Sequence, residues 1–319
     1  MFLTFSLAVI LTFIVTVVLS KKFIPVLISK KLNQPIYEIG PRWHKSKAGT
    51  PTMGGLFFIG AALLTAAIFS TFAVEKEELI PLWLTLAMAT LFGLVGFIDD
   101  RAKLLKKQNE GLRAHQKFLL QIVVSGLYLL GMTLWCDLST TITIPFTEIH
   151  WDLGIAYYPI AMLLITGINN SVNLTDGIDG LATSVTIAVL AFFAIMLDGT
   201  GFELFTYALI GGLFGFLLFN KNPAKVFMGD TGSLFLGGAV AGLAIVSGNP
   251  VILVLLGFVY FAETLSVIMQ VASFKLTGKR IFKMSPIHHH FEMCGWKEKK
   301  IVFVFTLVTV ILGIISLFC

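Results

Sequence analysis

Apolar and polar positions in this 319-residue chain fall into long blocks. Ten mostly apolar runs lie near residues 2–19, 54–73, 80–98, 118–136, 154–168, 181–197, 202–219, 233–247, 251–272 and 301–318, separated by short polar stretches. A hydrocarbon core about 30 Å thick needs roughly 20 apolar residues in a helix, and backbone groups in lipid must be satisfied within their own segment. The pattern therefore predicts an all-α integral membrane protein with about ten transmembrane helices, residues 1–319 forming a single polytopic domain. The first run lacks a basic leader and a small-residue cleavage site, and Lys21 and Lys22 follow it directly, so it is expected to be a retained span.

Composition agrees. Apolar residues make up 56% of the chain and charged residues 13%, against about 25% charged in an ordinary soluble domain. A soluble enzyme, a disordered chain and a disulfide scaffold are excluded, the last because there are only three cysteines. The net charge of +5 would suggest nucleic acid in a soluble protein; here it reads as topology, because Lys and Arg gather on the cytoplasmic side of membrane proteins. Assigning alternate loops to alternate faces places 22 of the 23 basic residues on one side, with Lys76 alone on the other. Both termini are then expected outside and the large basic loops inside, with no nucleic-acid partner. The one long outer connection, between spans four and five, alternates β-branched and polar residues from Thr140 to Phe146 and predicts a small outer β-hairpin flanked by Trp135 and Trp151.

Carboxylates and amides are sparse and fall in four clusters, each after an odd-numbered span and so on the basic face. Asp99 and Asp100 end the third span. The sequence NNSVNLTDGIDG, with Asn169, Asn170, Asn173, Asp176, Gly177 and Asp179, follows the fifth, and Asn169, Asn173, Asp176 and Gly180 in it recur at helical spacing and would share one face. The stretch NKNPAKVFMGDTGS, with Asn220, Phe227, Asp230 and Thr231, follows the seventh, and PIHHHFE, with His288, His289 and His290, follows the ninth. Each has an ordinary explanation alone, as a solvated helix end or a cap. Together, on one face of a membrane, they point to chemistry. Paired carboxylates can hold Mg²⁺ beside phosphate, the helix after Gly229 offers N–H donors to an anion, and consecutive histidines diverge too far to share one ion. Oxygen and amide ligands without thiolates indicate a hard cation and a pyrophosphate-containing donor, and the location indicates a lipid acceptor. Glu263, inside the ninth span, is expected to face a polar interior, with a simple interhelical hydrogen bond an equal alternative.

These motifs carry a resemblance. KAGTPTMGG at residues 47–55, FIDDRAK at 97–103, NLTDGIDGLA at 173–182, FMGDTGS at 227–233 and PIHHHFE at 286–292 are similar to those of the polyprenyl-phosphate N-acetylhexosamine-1-phosphate transferase superfamily. Within it the chain resembles the phospho-N-acetylmuramoyl-pentapeptide transferase family over essentially its whole length. The resemblance implies transfer of phospho-MurNAc-pentapeptide from UDP-MurNAc-pentapeptide to undecaprenyl phosphate, giving lipid I and UMP, in a bacterial cytoplasmic membrane, with Mg²⁺ required and a homodimer implied. It also implies that Asp230 is the principal metal ligand with Asn173 the second, and that Asp99 and Asp100 are a catalytic pair acting on the lipid phosphate. His288, His289 and His290 would be catalytic and phosphate-contacting. Lys47, Thr52, Asn173, Asp176, Gly177, Asp179, Asn220 and Phe227 would bind substrate, Phe227 by stacking on uracil. Two alternatives stay open: a UDP-N-acetylglucosamine-1-phosphate transferase, sharing the aspartates but differing at the histidine loop, and a secondary transporter, whose sites would lie near the bilayer midplane.

Overall fold

The computed structural model describes residues 2–30, 47, 49–106, 111–147 and 149–319; Lys31, Arg42, Lys45 and Lys107, four of the orienting cations, lie outside them. The described chain runs α1 (Phe2–Ser29), α2 (Gly55–Ala73), α3 (Lys76–Lys106), α4 (Ala114–Cys136), β1 (Thr141–Thr143), β2 (His150–Asp152), α5 (Tyr157–Thr175), α6 (Leu181–Met196), α7 (Phe202–Asn220), α8 (Gly229–Val246), α9 (Leu253–Leu256), α10 (Phe258–Thr277), α11 (Ile287–Met293) and α12 (Glu298–Ser316). All ten apolar runs are helical. Among the described residues, eight helices are long and apolar enough to cross a membrane, and a ninth arises if α10 is joined to the turn and helix of Pro250–Leu256, from which it bends by 79°. The remaining run, α6, has 16 residues and spans about 24 Å at 1.5 Å per residue, short of the hydrocarbon thickness. Apolar composition marked it as a span, but its surface is spent on protein: most of α6 is buried among its neighbours.

The helices form one bundle around α8. Of the apolar window of α8, 89% is buried, against 28% for α1 and for α12, so α8 is the axis and the first and last helices face outward. Its sequence, GDTGSLFLGGAVAGLAIV, is rich in small residues, which let backbones approach where no hydrophobic force drives helices together in lipid. The hairpin forms as expected, β1 antiparallel to β2 with Ile142 opposite Trp151. It joins the far ends of α4 and α5, at the opposite end of the bundle from the aspartates of α3.

At the other end α3 and α8 cross so closely that a Cβ on Gly96 would fall on the Asp230 carbonyl. Gly96 therefore sets how near the α3 aspartates come to the first turn of α8. Gly96→Ala is expected to cost about 1–3 kcal/mol through overpacking and to lower the thermal midpoint of the detergent-solubilised protein. Gly60→Ala, where nothing lies within 4 Å, should leave the midpoint unchanged or raise it. Equal midpoints for the two variants would refute the packing role of Gly96.

Candidate active site

The α8 N-terminus is built by a residue of another helix. Asp100 is almost wholly buried; its carboxylate accepts the Asp230 N–H at 3.1 Å, the Thr231 N–H at 2.9 Å and the Thr231 hydroxyl at 2.7 Å. The N–H donors expected to be available to phosphate are thus already taken by Asp100, which offsets the positive end of the α8 dipole. Gly229 makes this turn at φ +74°, and a Cβ there would meet Asp100 Oδ2 at 2.6 Å and Thr52 Oγ1 at 2.8 Å. Thr52 is buried beside it, its hydroxyl without a hydrogen-bond partner among the described residues.

Asp99 and Asp100, about 100° apart on α3, do not act as twins. Asp99 turns to the loop after α3, where Oδ1 accepts the Leu112 N–H at 2.7 Å and Oδ2 lies 2.8 Å from Lys103 Nζ. Lys103 also reaches Asp230 at 2.9 Å, and Lys117 of α4 lies 2.7 Å from Asp230 and 4.0 Å from Asp99. Two ammonium groups thus bracket two carboxylates. From α5, Asn173 Nδ2 donates to Asp230 Oδ1 at 3.1 Å and to Ser233 Oγ at 2.7 Å, while Asn169, one turn earlier, donates to the Leu234 carbonyl at 2.6 Å. The expected shared face of Asn169 and Asn173 exists and is turned to α8. Asp176 and Gly180 lie beyond the end of α5.

This donor set fits a hard divalent cation. Asp230 and Asp99 could supply carboxylate oxygens and Asn173 its amide oxygen, with no thiolate. Among the described residues no three His, Cys, Asp or Glu side chains form a group that could hold a metal ion by themselves, so an ion here would need further ligands such as substrate phosphates.

A second knot joins four segments. Lys47 Nζ lies 2.7 Å from Asp179 Oδ1 and 2.7 Å from Glu298 Oε1 at the start of α12. Asn222 donates to both carboxylates, at 3.2 and 3.1 Å, and the Ala224 N–H to Asp179 at 3.0 Å. Asn220 is buried and its amide is used on the Thr183 hydroxyl and the Val226 carbonyl, supporting this loop from below. Phe227 stays half-buried, its N–H on the Pro51 carbonyl and its carbonyl on the Gly54 N–H, at 2.8 and 2.9 Å. The KAGTPTMGG and FMGDTGS motifs are therefore backbone partners. Lys103, Lys117 and Glu298 are the members that sequence reasoning left outside the site. Lys103 could be placed from its spacing of four from Asp99 on one helix; Lys117 read as a topology charge, and Glu298 lies in no motif of the sequence.

The three histidines take different partners, although the His288 and His289 rings lie 4.1 Å apart. His288 is fully buried, with Nδ1 3.0 Å from Glu263 Oε2; His289 Nδ1 pairs with Glu292 at 2.6 Å; His290 Nδ1 accepts the Lys283 N–H at 3.1 Å. Gly177 rests on the His288 ring, where a Cβ would overlap Nε2. Asp176 stands between the two clusters: desolvation first, then the charges of Asp230, Asp100 and Asp179, push its carboxyl well above the usual range.

A raised carboxyl pKa destabilises the fold as the group ionises: nothing is lost below the ordinary Asp range, and the cost grows as pH rises through the folded-state pKa. Asp176→Asn should therefore match the wild-type thermal midpoint near pH 4 and exceed it by a few degrees at pH 8, measured without metal or nucleotide. A difference independent of pH would refute the assignment.

Comparison with known proteins follows this geometry. Residues 82–248 match the model of glycosyl transferase family 4, and residues 47–59 match phospho-N-acetylmuramoyl-pentapeptide-transferase signature 1. A phospho-N-acetylmuramoyl-pentapeptide-transferase of Clostridium perfringens (strain SM101 / Type A) is 49% identical over 313 residues, covering 97% of this chain and 95% of that relative. One from Heliobacterium modesticaldum is 50% identical over 299 residues, covering 92% and 91%.

Proposed function

The chain belongs to the phospho-N-acetylmuramoyl-pentapeptide transferases, and from that membership we propose that it transfers phospho-MurNAc-pentapeptide from UDP-MurNAc-pentapeptide to undecaprenyl phosphate, yielding lipid I and UMP. The observation that carries the mechanism is the convergence of Asp99, Asp100, Asn173 and Asp230 with Lys103 and Lys117 at one end of the bundle. In this reading ten segments cross the cytoplasmic membrane of a bacterium, with α6 enclosed by protein. Both termini and the hairpin lie outside, the site faces the cytoplasm, and two copies pair as a homodimer.

Asp230 and Asn173 would hold Mg²⁺, with Asp99 beside them. Bound there, the ion would neutralise the pyrophosphate of the donor and make UMP a better leaving group. The chain's own residues do the rest. Lys103 and Lys117 supply positive charge to the phosphates of donor and acceptor. Asp100 fixes the first turn of α8 and thereby Asp230. Lys47, Asp176, Gly177, Asp179 and Phe227 receive the nucleotide, with Asn220 holding the loop beneath and Thr52 lining the turn. An oxygen of the lipid phosphate attacks the β-phosphorus of the donor; its new P–O bond forms as the bridging bond to the α-phosphate breaks, and UMP leaves with that electron pair. A phosphate monoester with a second pKa near 6 is a dianion at neutral pH, so no strong base is needed, and catalysis rests on positioning and charge neutralisation.

Purified protein should release UMP only when Mg²⁺, undecaprenyl phosphate and the muramoyl donor are all present, and not with UDP-N-acetylglucosamine. Asp230→Asn should lower that release by about 100-fold or more, the scale of losing a key electrostatic group; full activity would sink the metal assignment. UMP release without the lipid, together with a phosphorylated Asp99 or Asp100, would replace direct attack by a two-step route.

A further inference from the structure

Glu263 lies in α10 with no exposed surface, where an ionised carboxylate is costly unless a partner answers it. Its partner is His288, equally buried: one oxygen, Oε2, faces both the Nδ1 atom at 3.0 Å and the backbone N–H of His288 at 3.4 Å. The other carboxylate oxygen, Oε1, and the other ring nitrogen, Nε2, are buried without a hydrogen-bond partner among the described residues. A buried donor left unpaired is rarer and costlier than an acceptor with a spare lone pair. Nδ1 facing a carboxylate must therefore carry the proton, and Nε2, with no acceptor near it, must not. That bare nitrogen lies directly under Gly177, in the turn that carries Asp176 and Asp179.

We propose that Glu263 is a positioning residue that locks His288 in the Nδ1–H tautomer, so that the ring edge turned to Gly177 carries no N–H and the Asp176–Gly177 turn can seat on it to receive the nucleotide sugar. Glu263 does not touch substrate. It acts through the ring, as a carboxylate behind a histidine fixes which nitrogen is free. His289 also faces a carboxylate, Glu292, at 2.6 Å, and His290 Nδ1 accepts the Lys283 N–H; it is the His288 ring that lies under Gly177. The role in turnover rests on the transferase reading above; the tautomer does not.

The test uses full-length protein labelled with ¹⁵N-histidine in detergent, with the His288 signal assigned by its loss in His288→Asn. Wild type should show the Nδ1–H tautomer, Glu263→Gln should keep it through the amide oxygen, and Glu263→Ala should lose it. In UMP-release assays kcat/KM for the donor should fall about 10-fold or more in Glu263→Ala and less in Glu263→Gln. An Nε2–H tautomer in wild type overturns the proposal. So does an unchanged tautomer in Glu263→Ala, or an unchanged kcat/KM where the tautomer is lost. The expected tautomers without any turnover of the muramoyl donor would leave the positioning intact and overturn the transferase reading instead.

Discussion

The site depends on a single charge-assisted junction between helices, in which the Asp100 carboxylate of α3 takes the first N–H groups of α8. A helix N-terminus in an apolar bundle leaves its first amides without intrahelical partners, and in the absence of water another element must satisfy them. Here the answer comes from the helix that crosses α8 at Gly96, so capping and close packing are the same contact. Because Asp230 is the second residue of α8, fixing that first turn fixes the carboxylate most exposed to chemistry. Asn173 and Ser233 then complete its orientation from α5 and from one turn further along α8.

Holding Asp99, Asp100 and Asp230 together would be self-defeating without positive charge, since like charges in a poorly hydrated site raise one another's cost steeply. Lys103 and Lys117 balance two of the three, and the α8 dipole and its amides answer the third. The same logic governs the second knot, where Lys47, Asn222 and backbone N–H groups answer Asp179 and Glu298. Asp176 is the group left over between these balanced clusters, which is why its neighbours act on it only by repulsion.

Much of this was legible from the chain. Block hydropathy located the long helices but not α11, which carries the histidines, and parity of the spans put the carboxylate clusters at one end before any contact was known. Spacing found the shared face of Asn169 and Asn173. What it could not give were choices between equivalent readings of one residue type: whether the α8 amides meet Asp100 or a ligand, or whether Lys117 orients a span or pairs with Asp230. Those depend on contacts between residues 113 to 131 positions apart in sequence, and local pattern carries no information about them. What covers α6 was equally illegible, although its bounds were read to within a residue. An apolar run enclosed by protein reads like one facing lipid, although only the latter must match the bilayer.

The two segments that depart from an ideal span both carry polar groups to the site. Helix α6 begins at Leu181, immediately after the turn that holds Asp179, and its shortness leaves room for that turn inside the bundle. The 79° break before α10 redirects the helix that carries Glu263 to His288. Irregular backbone and buried charge at membrane depth are tolerated only where protein surrounds them, and α8, with its small residues and near-complete burial, lies at the centre of that enclosure. The departures from regular spanning geometry are thus the means by which an apolar bundle admits a charged site: the long helices meet the demands of lipid, while the short and broken ones meet the demands of the chemistry.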